Sequence, residues 1–512
     1  MAIRISGLNS GLDTDSIVQE LVSAYRTKQD KYTKAQTKLS WKQDAWKEMN
    51  TKIYDFYSKT LSNLRRVGNF NKKTTTVSDS TKATVSASSS VVNGTQTLKV
   101  NRLAKAGYLT GTKLTRADGE KITRDTALSD LGIAGGSLKL KVGNETKTVN
   151  ITSGMTVKDL NDALKEQGVS ANFDAEQQRF FLNSSETGEG HDFNFVVENG
   201  DQASYNILSK LGLATEENYK AATGSTSVDS DMNFAVKEKA QNAQIVLNGA
   251  VFEGESNKFS INGLNITATG VSEEMTITTA TDVDGIYNMV KDFLKEYNEL
   301  VNAMEAAYNA PTSKGYEPLT DDEKEQMSDK EVEKWEAKIK DSILRRDDTL
   351  RSVLSGMTSN MSKSFEVNGK NYSLASFGIK TAGYFNAAEN ESYAYHIDND
   401  PDDSVSSANE DKLRKMIEED PDTVASFFTQ LATSVYDNLH ERMGSTTLSS
   451  AYKVYNDKQM KTEYDEYTKT IKKWEDKLKD MEDYYYKKFS AMEVALSKLQ
   501  SQTNSLSSLL GG

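Results

Sequence analysis

Three histidines, His191, His396 and His440, and a complete lack of cysteine limit the chemistry open to this chain. Thiol nucleophiles, disulfides and thiolate zinc sites are excluded. The imidazoles lie far apart in sequence. His440-Glu441 lacks the second histidine four residues on that a zinc-protease helix requires. Gly107, Gly111 and Lys113 have the wrong spacing for a phosphate-binding loop. Asp398, Asn399, Asp400, Asp402 and Asp403 alternate oxygens as a calcium loop does. That loop has no glycine at its sixth position, and Asn409 stands where the bidentate glutamate belongs, so a solvated turn is the better reading. Seventy-five carboxylates single out no acid–base pair. Tyr484, Tyr485 and Tyr486 fall at helical spacing and read as packing residues, with one left facing outward for a partner. No residue is expected to serve catalysis, a cofactor or a metal. A structural protein, not an enzyme, is the expectation.

Composition narrows the class further. At 512 residues several domains are expected. Hydrophobic residues make up 37% and form no run long enough to cross a bilayer, so no membrane partner is expected. A net charge of −13 argues against nucleic acid, which needs a concentrated basic surface. The first dozen residues hold no apolar h-region, so export would use a route other than a cleaved secretory signal.

The elements that organise the chain lie at its ends. Val18, Tyr25, Tyr32, Leu39, Trp46 and Ile53 recur every seventh residue. Leu21, Lys28, Ala35, Lys42, Met49 and Phe56 form a second row three residues later. Two such rows make the seam of a heptad helix. Residues 13–64 contain no proline or glycine, so the spacing predicts one helix of about 50 residues. The other end repeats the pattern through Tyr464, Ile471, Leu478, Tyr485, Met492, Leu499 and Leu506. Its companion row holds Met460, Tyr467, Trp474, Met481 and Lys488. Near Phe489 this row drifts by one residue onto Leu496, as a 3.6-residue helix overtakes a strict heptad. The two helices are expected to pair antiparallel, with Lys28, Lys42 and Lys488 as weak points in the seam.

Between the ends, residues 72–283 are rich in Thr, Ser, Asn, Gly and Val. Short alternating runs at 138–142, 180–182, 193–197, 245–247 and 275–278 predict antiparallel strands, and one helix is expected over 156–168. An edge strand is expected within 74–90. Helices resume at 282–304, 321–340, 344–361, 410–419 and 423–443, with an Asn368-Gly369 hairpin among them. The fold class is therefore multidomain α+β: long antiparallel terminal coiled-coil helices, a helical base and inserted β-rich outer domains. The expected limits are 1–42 with 465–512 for the helical legs and 43–73 with 284–464 for the base. An inner β-rich domain takes 74–106 with 240–283, and an outer α/β domain takes 107–239.

The opening Ser6, Gly7, Leu8, Asn9, Ser10, Gly11, Leu12 and Asp13, followed by Ile17, Val18 and Leu21, resembles the start of the flagellar filament cap proteins, also called hook-associated protein 2. Phe293 with Tyr297-Asn298 follows in that family's order. So do Asp347 with Leu350-Arg351, Gly378-Ile379, Asp420-Pro421 with Phe427-Phe428, and Ala491-Met492-Glu493. Residues 136–195 and 248–269 resemble the small α/β repeat of flagellins and hook-associated proteins. The resemblance implies a ring-shaped homo-oligomer, a pentamer, at the distal tip of the growing flagellum. It would hold flagellin while that subunit folds and inserts. It also implies secretion through the flagellar type III export apparatus with an export chaperone. The alternatives are a flagellin-like filament subunit, or a surface adhesin binding host glycans or mucin through residues 106–239.

Overall fold

The computed structural model describes residues 11–383, 385–509 and 511. Of the family-like opening, Ser6–Ser10 falls outside the described residues, as do Leu510 and Gly512 of the ending. The protein is α+β and divides into two compact units, Met1–Phe70 with Val283–Gly512, and Asn71–Asp282. No helix among the described residues is long and apolar enough to cross a membrane.

The first unit begins with α1 (Thr14–Asp55), which passes through a π-helical turn at Phe56–Leu61 into α2 (Ser62–Leu64). Asp13 starts it, accepting from the Ser16 backbone N–H at 3.1 Å and so satisfying one of the free donors of the first turn. No break in α1 marks the expected leg limit at residue 42. What changes is burial: from Trp46 onward every turn carries a buried side chain, at Trp46, Met49, Asn50, Ile53 and Phe56.

The second unit has two apolar cores. Around the first, β1 (Lys73–Val77), β2 (Ala83–Ala87) and β3 (Gly94–Arg102) combine with β11 (Ala243–Leu247), β12 (Ala250–Gly254), β13 (Lys258–Ile261), β14 (Leu264–Ala268) and β15 (Met275–Thr281). They form a five-stranded sheet, β1-β15-β3-β11-β12, and a three-stranded sheet, β13-β14-β2. The expected single edge strand within 74–90 is thus two strands, β1 and β2, each on the edge of a different sheet. The hairpin turns at Asn248-Gly249 and Asn262-Gly263 have φ of 49° and 81°, and 47° and 82°. Two consecutive left-handed residues make the two-residue turn that matches strand twist, and Asn-Gly tolerates it best.

Around the second core lie β4 (Tyr108–Thr110), β5 (Gly136–Val142), β6 (Glu145–Ile151), α3 (Val157–Glu166), β7 (Val169–Asp174), β8 (Arg179–Ser184), β9 (Phe193–Val196), α4 (Gln202–Lys210), α5 (Glu216–Thr223) and β10 (Val236–Glu238). Sheets β10-β4-β8-β7 and β6-β5-β9 enclose Leu140, Leu160, Leu164, Phe180 and Phe195, all nearly inaccessible. Gly107 and Gly111 are here for close packing, not for phosphate. A Cβ on Gly107 would lie 2.3 Å from the Asp192 carboxylate, and one on Gly111 would lie 3.1 Å from the Gly212 carbonyl.

The chain re-enters the first unit through α6 (Val283–Asn309), α7 (Asp321–Glu325), α8 (Asp329–Asp341) and α9 (Asp348–Met361). The expected helix over 321–340 is two helices, because Ser328 and Glu331 form a second capping box that restarts the chain after Gln326. A hairpin of β16 (Phe365–Val367) and β17 (Lys370–Tyr372) follows, then the pair β18 (Ile379–Thr381) and β19 (Tyr395–Ile397). The unit ends with α10 (Lys412–Glu419), α11 (Pro421–Arg442) and α12 (Asp457–Leu509). One continuous apolar cluster holds Trp46, Ile53, Phe56, Phe293, Tyr297, Phe377, Phe427 and Phe428. Its aromatic rings interlock, with Phe56 6.0 Å from Phe293 and Phe377 4.7 Å from Phe427.

Because both cores of the second unit close within residues 71–282, that segment expressed alone should unfold cooperatively and show β-sheet circular dichroism. Within it Thr156 caps α3 by accepting from the Asp159 N–H, while the Asp159 carboxylate accepts from the Thr156 N–H. Thr156→Ala should lower the segment's stability by about 1 kcal/mol in denaturant unfolding. An unchanged midpoint would show that the cap carries no weight.

Candidate functional site

The pairing of α1 with α12 is the site the chain's ends point to. Asp15 accepts from the Tyr486 hydroxyl at 2.9 Å, and the Lys477 ammonium lies over the Tyr25 ring at 5.6 Å. Lys28 lies over Trp474 at 5.0 Å, Tyr32 meets Tyr467 at 6.4 Å, and Trp46 stacks on Tyr455 at 5.3 Å. From Asp15 to Trp46 the chain climbs 31 residues while the partner falls 31, from Tyr486 to Tyr455. The helices therefore run antiparallel.

Of the α1 row, Val18, Leu39, Trp46 and Ile53 are buried, and Tyr25 and Tyr32 are partly buried. Leu21 is not in the seam, being 43% exposed, while Val22 is fully buried. The residues that face the partner segment lie four after the first row, because pairing alternates steps of three and four and the first row occupies the position before the longer step, while Met49 and Phe56, of the row expected three residues on, are buried in the base core. The companions are then Val22, Gln29, Gln36, Gln43 and Asn50. Lys28 and Lys42 fall beside the seam, where each ammonium finds a partner: the Trp474 ring for Lys28, and Asp347 at 2.8 Å for Lys42. On α12, Tyr464, Tyr467, Ile471, Trp474, Leu478, Met481, Tyr485 and Met492 are all partly buried. Beyond Tyr485 the row passes to Phe489 and Leu496, and Leu499 is 58% exposed. Lys488 is outside, its ammonium 4.6 Å above the exposed Tyr484 ring.

The polar companions fix register. The Gln36 amide donates to the Thr468 hydroxyl at 2.6 Å. Asn50, nearly inaccessible, donates to the Tyr452 carbonyl at 3.1 Å and accepts from the Val454 N–H at 2.9 Å. These bonds hold the link between α11 and α12 where Tyr452 is left-handed, with φ of 62°, a conformation that costs an aromatic residue about 1–3 kcal/mol. Asn50 was missed in the sequence. Its signal was a polar residue every seventh position through Gln29, Gln36 and Gln43.

The histidines do not converge. His440 Nδ1 lies 2.8 Å from the Tyr57 hydroxyl, which also donates to Tyr436 at 2.7 Å. His396 Nδ1 lies 2.7 Å from Asp403, and His191 Nε2 lies between Glu186 and Glu255 at 3.3 and 3.2 Å. Among the described residues no cluster of metal-ligating side chains occurs. In the acidic loop the cation is internal: the Lys291 ammonium donates to Asp400 at 2.7 Å and to Asp402 at 2.6 Å. That bond from Lys291 holds the Asp402 carboxyl below its ordinary range.

The chain matches the family profile of the flagellar hook-associated protein 2 C-terminus over residues 240–501 and that of its N-terminus over 10–107. It belongs to the flagellar hook-associated protein 2 family. Flagellar hook-associated protein 2 of Halalkalibacterium halodurans is 22% identical over 98% of this chain and 99% of its own length. That of Escherichia coli K12 is 24% identical over 98% and 96%. The solved D1–D2–D3 domains of the Escherichia coli flagellar cap protein superpose with a TM-score of 0.48 at 18% identity, covering 77% of this chain and 95% of that one.

Asn50→Ala should leave the Tyr452 carbonyl and Val454 N–H without partners and cost about 1–3 kcal/mol, read as a lowered midpoint of thermal unfolding. A midpoint within error of the parent would remove Asn50 from the account of the α11–α12 link.

Proposed function

We propose that this protein caps the distal end of the growing bacterial flagellum as a ring-shaped homo-oligomer, a pentamer. In that place it retains exported flagellin long enough for each subunit to fold and insert. Membership of the hook-associated protein 2 family supports a flagellar role. The observation that carries the assembly reading is the state of the paired helices. Leu21, Val494, Leu499 and Leu506 are 43%, 55%, 58% and 57% exposed on helices whose seam residues are mostly only partly buried. Two helices alone cannot cover an apolar stripe from every side, and fully burying each such side chain is worth about 1.5–3 kcal/mol. Neighbouring copies and flagellin would supply that cover. The lack of cysteine suits secretion of an unfolded chain through the flagellar type III apparatus, delivered by an export chaperone. A structural role, without catalysis, follows from the same reading.

Deleting residues 1–42 should leave the helical base and the strand unit folded while flagellin escapes into the medium as monomer and filaments fail to grow. Filaments of ordinary length in cells carrying this deletion would overturn the role given to the paired helices.

A further inference from the structure

Helix α1 carries a lysine stripe, Lys31, Lys34, Lys38 and Lys42, whose spacing of three and four places it on one face. An acidic excursion of the base, α7 and α8, lies against it. Lys34 donates to Glu323 Oε1 at 2.8 Å with its ammonium 2.7 Å from Oε2, and the Lys340 ammonium lies 4.6 Å over the Trp41 ring. Asp347, just after the excursion, takes Lys42 at 2.8 Å. The excursion is also tied to the segment that leaves α6: Trp335 donates to the Glu317 carbonyl at 2.8 Å, its ring meets Tyr316 at 4.5 Å, and Ser342 donates to the Ser313 hydroxyl at 2.7 Å. Between the excursion and α1 is a cleft of about 540 Å³ whose lining mixes the charged Asp30, Lys34, Lys38 and Glu323 with Ala35 and Pro318. The contacts that join the two sides are the ion pair of Lys34 with Glu323 and, beyond it, the Lys340 ammonium on the Trp41 ring. The contrast with the next turns of α1 is sharp, where Trp46, Met49 and Ile53 are sealed in the base core.

We propose that α7–α8 is an electrostatic strap that fastens the first two-thirds of α1 to its own base and can open while the Trp46–Ile53 anchorage stays closed. The leg then hinges near Gln43. Burial pulls the Glu323 carboxyl upward, but Lys34 and the Thr320 N–H outweigh it and leave it below the usual glutamate range, so the strap is charged at neutral pH. Burial raises Asp30 in the same cleft, against the pull of Lys34 and Arg26. A strap of this kind lets the leg change its angle without unfolding the base. It holds whether or not the chain caps a flagellum.

The test is amide hydrogen exchange on the full-length chain in solution, comparing residues 27–42 with 46–55. Glu323→Gln removes the charge but keeps a side chain able to complete the α7 capping box with Thr320. It should speed exchange across 27–42 by about threefold, in the range of a partly exposed ion pair. Lys34→Glu sets two carboxylates together and should speed it by about tenfold, and combining it with Glu323→Gln should bring the rate back toward that of Glu323→Gln alone. Residues 46–55 should not change in any of the three. Additive effects in the double variant, or equal acceleration in both segments, would overturn the strap, because the first denies contact between the two side chains and the second denies a hinge. Lys34→Arg, which keeps the charge, should exchange like the parent. Acceleration there as large as in Lys34→Glu would also count against it.

Discussion

Helix α1 is shared by two environments, and the rest of the first unit depends on that division. Its last turns lie in an aromatic core with α6 and α11, where Trp46, Ile53 and Phe56 are all but inaccessible. Its earlier turns bury Val18, Val22 and Leu39 but otherwise meet α12, Asp347 and the tips of α7 and α8 through partly exposed side chains. A fully buried Ile or Phe contributes about 1.5–3 kcal/mol, whereas a partly exposed ion pair contributes about 0–1 kcal/mol. The same continuous helix is therefore held more firmly at one end than at the other. For a protein proposed to meet changing partners at the filament tip, the less firmly held end is the one with apolar surface to offer.

Polar residues set the register of the pair while apolar ones supply its attraction. Tyr25, Tyr32, Tyr467 and Trp474 are large, flat and forgiving of a shifted neighbour, and their partial burial would permit slippage. Gln36 and Asn50 do not, since each has a specified acceptor or donor on the opposite segment. Asn50 acts with the most leverage because both of its amide atoms are used and neither can reach water.

Much of the fold was legible because it rests on local periodicity. Strands, the capped helix at Thr156, the Asn368-Gly369 hairpin and the terminal heptads all announce themselves within a few residues, and the α+β class follows from their order. What was not legible depended on contacts distant in sequence. A three-residue step and a four-residue step look alike along an isolated row, so the spacing admits Leu21 to the seam in place of Val22. Only the presence of α12 distinguishes them. Lys28 and Lys42 read as defects because their partners, Trp474 and Asp347, lie hundreds of residues away. The acidic loop after Ile397 reads as a solvated turn for the same reason, since the lysine that pairs with its Asp400, Lys291, comes from α6. The break between α7 and α8 was local, but the second capping box at Ser328 was overshadowed by the charge pattern around it.

Antiparallel pairing of α1 and α12 is the claim on which the functional reading stands, and the absence of native cysteine makes it directly measurable. Spin labels can be placed at exposed positions Ser23 and Lys479, Lys31 and Lys469, and Lys38 and Glu463, one pair per variant, and distances read by pulsed electron paramagnetic resonance. Steps along the two helices cancel in this register, so the three pairs should give short and nearly equal separations. The mismatched pair Ser23 with Glu463 should be longer, offset along the axis by about 22 Å at 1.5 Å per residue. Separations that differ widely among the three matched pairs, or a mismatched pair as close as the matched ones, would contradict the account.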